Sequence, residues 1–203
     1  MRIIISLIVF LLTMVELRAA DRINFFHIGL EQGLSQSTVV DIIQDKRENM
    51  WIATHNGLNR YDGYDFTVYH HNDADTSSIA SDVIRSLALD ESGKIWIGTG
   101  AGLSLYNPEL DIFYNYSCVC EGKKQQVLDV ACLEEGNLLV ATDAGLMHFD
   151  SRSGVFNSSQ IPTALQKIRP RTLARYGDEV YIGSYQGLFV YSLKEEVVRA
   201  LFT

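Results

Sequence analysis

Proline and cysteine are both scarce in this sequence, with 3 residues each. Basic side chains are outnumbered, 17 against 25 acidic, giving a formal net charge of -8. No apolar run of membrane-spanning length follows the first twenty residues. Each shortage excludes something. A chain this acidic is a poor partner for nucleic acid, because phosphate binding needs a basic surface. Three cysteines allow at most one internal bridge. Cys118-Val-Cys120 has the spacing of neither a redox pair nor a four-ligand zinc site, so Cys118, Cys120 and Cys132 read as buried or unpaired thiols with at most one local bridge. Few prolines beside 10 Tyr and 9 Phe favour many ordered strands, since aromatic side chains fit pleated surfaces. At 47% hydrophobic and 21% charged, the chain is too apolar for intrinsic disorder.

Arg2 is followed by an almost unbroken apolar run from Ile3 to Val15, then Ala19 and Ala20, with polar sequence from Asp21. A charged start, an apolar stretch and small residues read as a secretory signal peptide over residues 1–20. The run is shorter than the ~20 residues that span a bilayer. An uncleaved N-terminal anchor is the competing reading. Export places residues 21–203 in the periplasm and exposes the thiols to an oxidising compartment.

Four segments then align without gaps: Trp51–Asp62, Trp96–Asn107, Leu139–Asp150 and Tyr181–Ser192, spaced by 45, 43 and 42 residues. Gly57, Gly102, Gly145 and Gly187 each stand between two strand-like runs, where a hairpin needs positive φ. Ala53, Gly98, Ala141 and Gly183 lie mid-strand, where small residues imply close approach of another layer. Leu58, Leu103, Leu146 and Leu188 fill space on the neighbouring strand. An apolar strand precedes each segment (Val39–Ile43, Val83–Leu89, Val127–Leu133, about Arg171–Arg175) and a further strand follows. A period near 43 with four short antiparallel strands is the signature of a propeller blade. The expected fold is therefore all-β, a β-propeller with blades near residues 38–69, 83–116, 127–158 and 170–203. Greasy sheets bury one another's faces by stacking. A closed four-bladed ring is one way to do so.

Trp51-Ile-Ala-Thr-His-Asn-Gly-Leu-Asn-Arg-Tyr-Asp-Gly63 and Asp90-Glu-Ser-Gly-Lys-Ile-Trp-Ile-Gly-Thr-Gly-Ala-Gly-Leu103 resemble the two-component regulator propeller repeat. Phe25-Phe26-His27-Ile28 and Gly33-Leu34-Ser35-Gln36-Ser37-Thr38-Val39 resemble the start of Bacteroides-type hybrid sensor histidine kinases. The resemblance implies a seven-bladed periplasmic ectodomain that senses glycans or oligosaccharides. It also implies a membrane helix and kinase further along, paired sensors acting as a homodimer, and a closing strand at residues 23–28. On that reading the chain is the truncated start of a longer sensor.

No catalytic, cofactor or metal motif emerges. Asp62/Asp65, Asp73/Asp75, Asp90/Glu91 and Glu134/Glu135 fall in turns, where acids serve turn geometry. His70 and His71 are adjacent, and neighbours on a strand point to opposite sides. Topology puts the second-to-third-strand turns on one face with the connections between blades. That face gathers His55, Asn56, His70, His71, Asp143, Tyr185 and Gln186, amide and aromatic groups suited to sugars. A secreted propeller enzyme acting on polysaccharide and an extracellular binding or scaffold module are the alternative readings.

Overall fold

The computed structural model describes residues 25–202. The leader expected over residues 1–20 lies outside the described residues, as do residues 23 and 24 of the expected closing strand. Its described remainder, Phe25–Ile28, forms no strand, and Phe25 and Phe26 are 91% and 88% exposed. So short a segment gains too little to order as a strand without an edge to pair with.

The first repeat folds as β1 (Val39–Gln44), β2 (Met50–Thr54), β3 (Gly57–Tyr61) and β4 (Phe66–Tyr69). The second gives β5 (Ile84–Leu89), β6 (Ile95–Thr99), β7 (Gly102–Asn107) and β8 (Ile112–Tyr116). A small hairpin of β9 (Val119–Cys120) and β10 (Lys123–Lys124) precedes the third repeat, β11 (Val127–Cys132), β12 (Asn137–Thr142), β13 (Gly145–Asp150) and β14 (Val155–Asn157). The fourth comprises β15 (Pro170–Tyr176), β16 (Glu179–Ser184), β17 (Gly187–Ser192) and β18 (Val197–Phe202). Each repeat is one four-stranded antiparallel sheet, paired in sequence order. The small hairpin was not expected from the sequence. Its signal is Glu121-Gly122, whose φ values of 50° and 76° suit a two-residue turn.

The first strand of each blade packs on the next, β1 on β5, β5 on β11 and β11 on β15. First strands are therefore innermost and fourth strands outermost. No packing of that extent joins β15 to β1 among the described residues. The blades form an open arc, not the closed four-membered ring that the sequence also allowed.

Three apolar layers fill the spaces between sheets. Trp51, Ala53 and Leu58 meet Ile84, Ile95, Ile97 and Tyr106 of the second blade. Trp96 and Leu103 meet Val127, Leu138, Val140 and Phe149 of the third. Leu139, Ala141 and Leu146 meet Leu173, Val180 and Ile182 of the fourth. The repeating columns are thus the surface each blade offers to the next. Burying one such Leu or Trp contributes about 1.5–3 kcal/mol. The matching face of the fourth blade, with Tyr181 and Leu188, is only half-buried, since no described sheet covers it.

Hairpin glycines Gly57, Gly102, Gly145 and Gly187 have φ of 104°, 131°, 130° and 120°. Gly98 shows why the mid-strand column is small. A Cβ there would stand 2.5 Å from Ser86 Oγ and 2.9 Å from Val127 Cγ1 in the third blade. The Thr column also has a reason: Thr54, Thr99, Thr142 and Ser184 hydroxyls donate to the carbonyls of Gly57, Gly102, Gly145 and Gly187 at 2.8–2.9 Å, stapling each hairpin.

Candidate functional site

Second strands end, and third strands begin, at the end of the arc where blade-to-blade connections run. The residue after each repeat's Leu fixes the connection leading into its blade. Asn59 Oδ1 accepts from Ser35 N at 2.9 Å, and its amide donates to Ser35 Oγ at 2.9 Å. Ser104 Oγ accepts from Ala80 N at 3.3 Å and donates to Asn115 Oδ1 at 2.6 Å. Met147 Sδ accepts from Cys118 Sγ at 3.3 Å. Phe189 packs against the apolar cluster that includes Ile161, Leu165 and Ile168 of the connection into the fourth blade. A face made of loops is thereby held to rigid sheets, which is how loops can carry recognition.

At the axis, the inner strands share a break in register. Each first strand bulges at its start, between Val39 and Asp41, Ile84 and Ser86, Val127 and Asp129, and Pro170 and Thr172. Bulges re-aim side chains. The bulged positions carry Asp41, Ser86, Asp129 and Thr172. Asp41 Oδ1 accepts from Ile42 N and Oδ2 from Leu87 N of the next blade, both at 2.8 Å. Asp129 repeats the arrangement: Oδ1 accepts from Val130 N at 2.8 Å, and Oδ2 from Leu173 N at 2.7 Å and the Thr172 hydroxyl at 3.0 Å. Burial pushes the Asp129 carboxyl above the usual range; the N–H donors of Leu173 and Val130 oppose this, and the Asp41 charge reinforces it. Asp41 thus ties blade one to blade two, and Asp129 ties blade three to blade four.

These residues line a polar axial pocket of about 430 Å³ to which all four blades contribute, with Arg85 and Arg171 in its wall. Arg85 Nη2 donates to Gln126 Oε1 at 2.8 Å, and the Arg171 guanidinium lies 5.5 Å from the Tyr185 ring centroid. Sequence reasoning missed this pocket. Its signal was present, a polar residue recurring at positions 41, 86, 129 and 172 within apolar strands.

The seven sequence-predicted residues all lie on the connection face, but several have structural work. Asn56 donates to Ser35 O at 3.2 Å. Gln186 Oε1 accepts from Arg169 N at 2.8 Å. His70 Nδ1 stands 3.2 Å from Asp82 Oδ1. His71 has Nδ1 2.7 Å from Ile79 O and Nε2 3.0 Å from Asp73 Oδ1. The Ile79 carbonyl first, then the Asp73 carboxylate, raise the His71 pKa, and slight desolvation opposes them. With a carbonyl and a carboxylate as partners, both ring nitrogens donate, so the fold favours the imidazolium. His55, Asp143 and Tyr185 present exposed side chains. Tyr185, 72% exposed, is the one that contacts a wall residue of the axial pocket, Arg171.

The opposite end holds three of the four acidic pairs, whereas Asp73 and Asp75 lie in the connection between blades one and two. Asp62 Oδ1 accepts from Tyr64 N and Asp65 N, both at 2.9 Å, and Asp90 accepts from Ser92 Oγ, Lys94 N and Trp96 Nε1. These acids serve their turns. A cleft of about 360 Å³ there, lined by Glu134, His148, Asp178 and Lys194, lies between the third and fourth blades. No group of three or more candidate metal ligands occurs among the described residues. Cys118, Cys120 and Cys132 are free, and burial pushes the Cys118 and Cys132 thiols up to about 11 and about 12. No helix among the described residues is long and apolar enough to cross a membrane.

The two-component regulator propeller family matches residues 33–56 and 78–101, the entry and hairpins of the first two blades. These are two-component regulator propeller repeats. The extracellular domain of the hybrid two-component system BT3049 from B. thetaiotaomicron superposes with a TM-score of 0.72 at 29% identity, covering 87% of this chain and 26% of that one. That of BT4673 from the same organism gives 0.68 at 17% identity, over 82% of this chain and 22% of that one, a likeness of fold. Histidine kinase P4 of Formosa agariphila is 39% identical over 79 residues, 38% of this chain and 6% of that protein. The chain therefore spans a small part of the relatives it matches. A virginiamycin B lyase from Staphylococcus aureus shares the fold alone, at TM-score 0.62 and 11% identity, over 83% of this chain and 56% of the lyase.

Proposed function

We propose that this propeller is the ligand-sensing part of a two-component sensor histidine kinase, exported to the periplasm and responding to glycans or oligosaccharides. The observation that carries the reading is the likeness, at 29% identity over 87% of the chain, to the extracellular domain of a hybrid two-component system. The geometry of the connection face supports it. The inner strands of all four blades line a polar pocket, and an exposed Tyr185 beside its wall residue Arg171 offers a ring for a sugar to stack on. In this reading the membrane helix, the kinase and the pairing of two sensor copies belong to the longer protein.

The test is a signalling reporter driven by the whole sensor, challenged with a panel of oligosaccharides. Tyr185→Ala and His55→Ala should each weaken the response to the active sugar while surface level stays the same. A response that ignores every sugar, or that survives both substitutions undiminished, rejects this face as the glycan receptor.

A further inference from the structure

We infer that the axial pocket holds the anionic group of an acidic sugar, a carboxylate or sulfate, through Arg85, Ser86 and Arg171; the sugar part of this inference rests on the glycan-sensing reading. Both carboxylates at the axis are occupied. Each oxygen of Asp41 and Asp129 accepts an N–H from its own or the next blade, and Asp129 takes the Thr172 hydroxyl as well. They function as ties between blades.

The donors are not occupied. Arg85 Nε and Ser86 Oγ are buried without a hydrogen-bond partner, and Ser86 is only 3% exposed. A buried donor with no acceptor is costly, and such groups in a native fold call for an explanation. Arg85 keeps one arm on Gln126, which fixes the guanidinium in the wall. Arg171 is exposed, and no carboxylate lies within ion-pair distance of it among the described residues. Its partner is the face of Tyr185.

Two guanidinium groups supply donors in a pocket whose two carboxylates, Asp41 and Asp129, are already held by N–H groups. Arg has no acceptor and presents a planar fork that matches a carboxylate or sulfate in two-point fashion. Charge-assisted bonds of this kind are about twice as strong as neutral ones, so the pocket favours an acidic over a neutral sugar.

The test titrates the full chain by calorimetry with trigalacturonate, with the same trisaccharide after carboxyl reduction, and with sodium sulfate. Trigalacturonate is expected to bind at least tenfold tighter than the reduced form and to weaken as salt is added. Arg171→Gln and Arg85→Gln should each lose tenfold or more. Arg171 is exposed, so its variant keeps the fold and stays informative if the Arg85 variant does not fold. Equal binding of acid and reduced trisaccharide, or wild-type binding by Arg171→Gln, overturns the anion pocket and leaves the glycan reading standing. Arginine-dependent binding of sulfate without binding of either sugar supports the pocket and counts against the glycan reading. Absence of binding by all three probes overturns the pocket.

Discussion

The first two blades and the last two solve the same packing problem with different chemistry. In blades one and two the strand begins with a buried Trp, and the turn before it carries Asp. Trp51 Nε1 donates to Asp45 Oδ2 at 2.8 Å, and Trp96 Nε1 to Asp90 Oδ2 at 3.3 Å. In blade three Leu139 replaces Trp, and Leu133 stands where the turn acid would be. In blade four Tyr181 donates to Glu179 Oε2 at 2.9 Å, and Tyr176 occupies the turn position. The large residue and the turn residue change together. An indole N–H in the core needs an acceptor, a Leu needs none, and a Tyr finds its own. The lesson is that a repeat conserves the filling of a layer and lets the polar partner follow.

The largest expected effect lies in the Trp layer itself. Trp51 is fully buried between blades one and two, so Trp51→Ala should cost about 3–5 kcal/mol in denaturant unfolding. A loss comparable to a surface substitution would break the comparison. Next is the close approach of blades two and three. Gly98→Ala should cost about 1–3 kcal/mol because Val127 of the next blade blocks the added methyl. Gly183→Ala should cost less, since its nearest obstacle is the Thr172 Cγ2 methyl of an exposed side chain at 2.7 Å. Equal melting shifts would show that interblade contact does not set this column.

Removing the Trp acceptor gives a similar or smaller effect and separates the blade pairs. Asp45→Ala should cost about 1–3 kcal/mol by stranding the indole and the turn amides, whereas Tyr176→Ala in the fourth blade, at an 81% exposed site, should fall within about 0.5 kcal/mol. The same acids give blades one and two their pH sensitivity. Partial burial alone would raise the Asp45 and Asp90 carboxyls. Hydrogen bonds outweigh it and hold both below the ordinary value, from Asn49 and Trp51 for Asp45 and from Ser92 and Lys94 for Asp90. A depressed folded pKa adds stability above the unfolded value near pH 4, and that stability is lost as pH falls through the folded value. Hydrogen exchange below about pH 4 should loosen the first two blades before the last two.

The smallest effect contrasts two histidines. His71, in the connection between blades one and two, is raised by the Ile79 carbonyl and Asp73, while His148 in blade three is lowered by burial despite Asp150. The His71 contribution is present below the unfolded value near 6.5 and fades as pH rises through the folded value. In an NMR titration His71 should lose its proton at higher pH than His148; the reverse order would contradict the hydrogen-bond assignments.

Much of the fold was legible because its information repeats. Gly57 and Gly102 mark hairpins, Trp51 and Trp96 mark layers, and the spacing gives the blade. The β9–β10 hairpin was missed because Val119–Cys120 and Lys123–Lys124 are too short to show alternation. The axial pocket was missed for a different reason. Asp41 and Ser86 recur as polar residues but not as one residue type, and the bulges that turn them to the axis leave no period. Of the predicted face, Tyr185 touches the pocket's wall residue Arg171, whereas Asn56 and Gln186 are claimed by neighbouring loops, which no local pattern announces.

Hydrogen exchange of the full chain with and without trigalacturonate tests the central claim, that recognition sits at the axial end where the connections run. Protection centred on residues 85–87, 126 and 171–173 and on the 185–186 turn is the predicted result. Protection confined to the acidic turns at residues 45–49, 90–94 and 177–178, or protection nowhere, would contradict it.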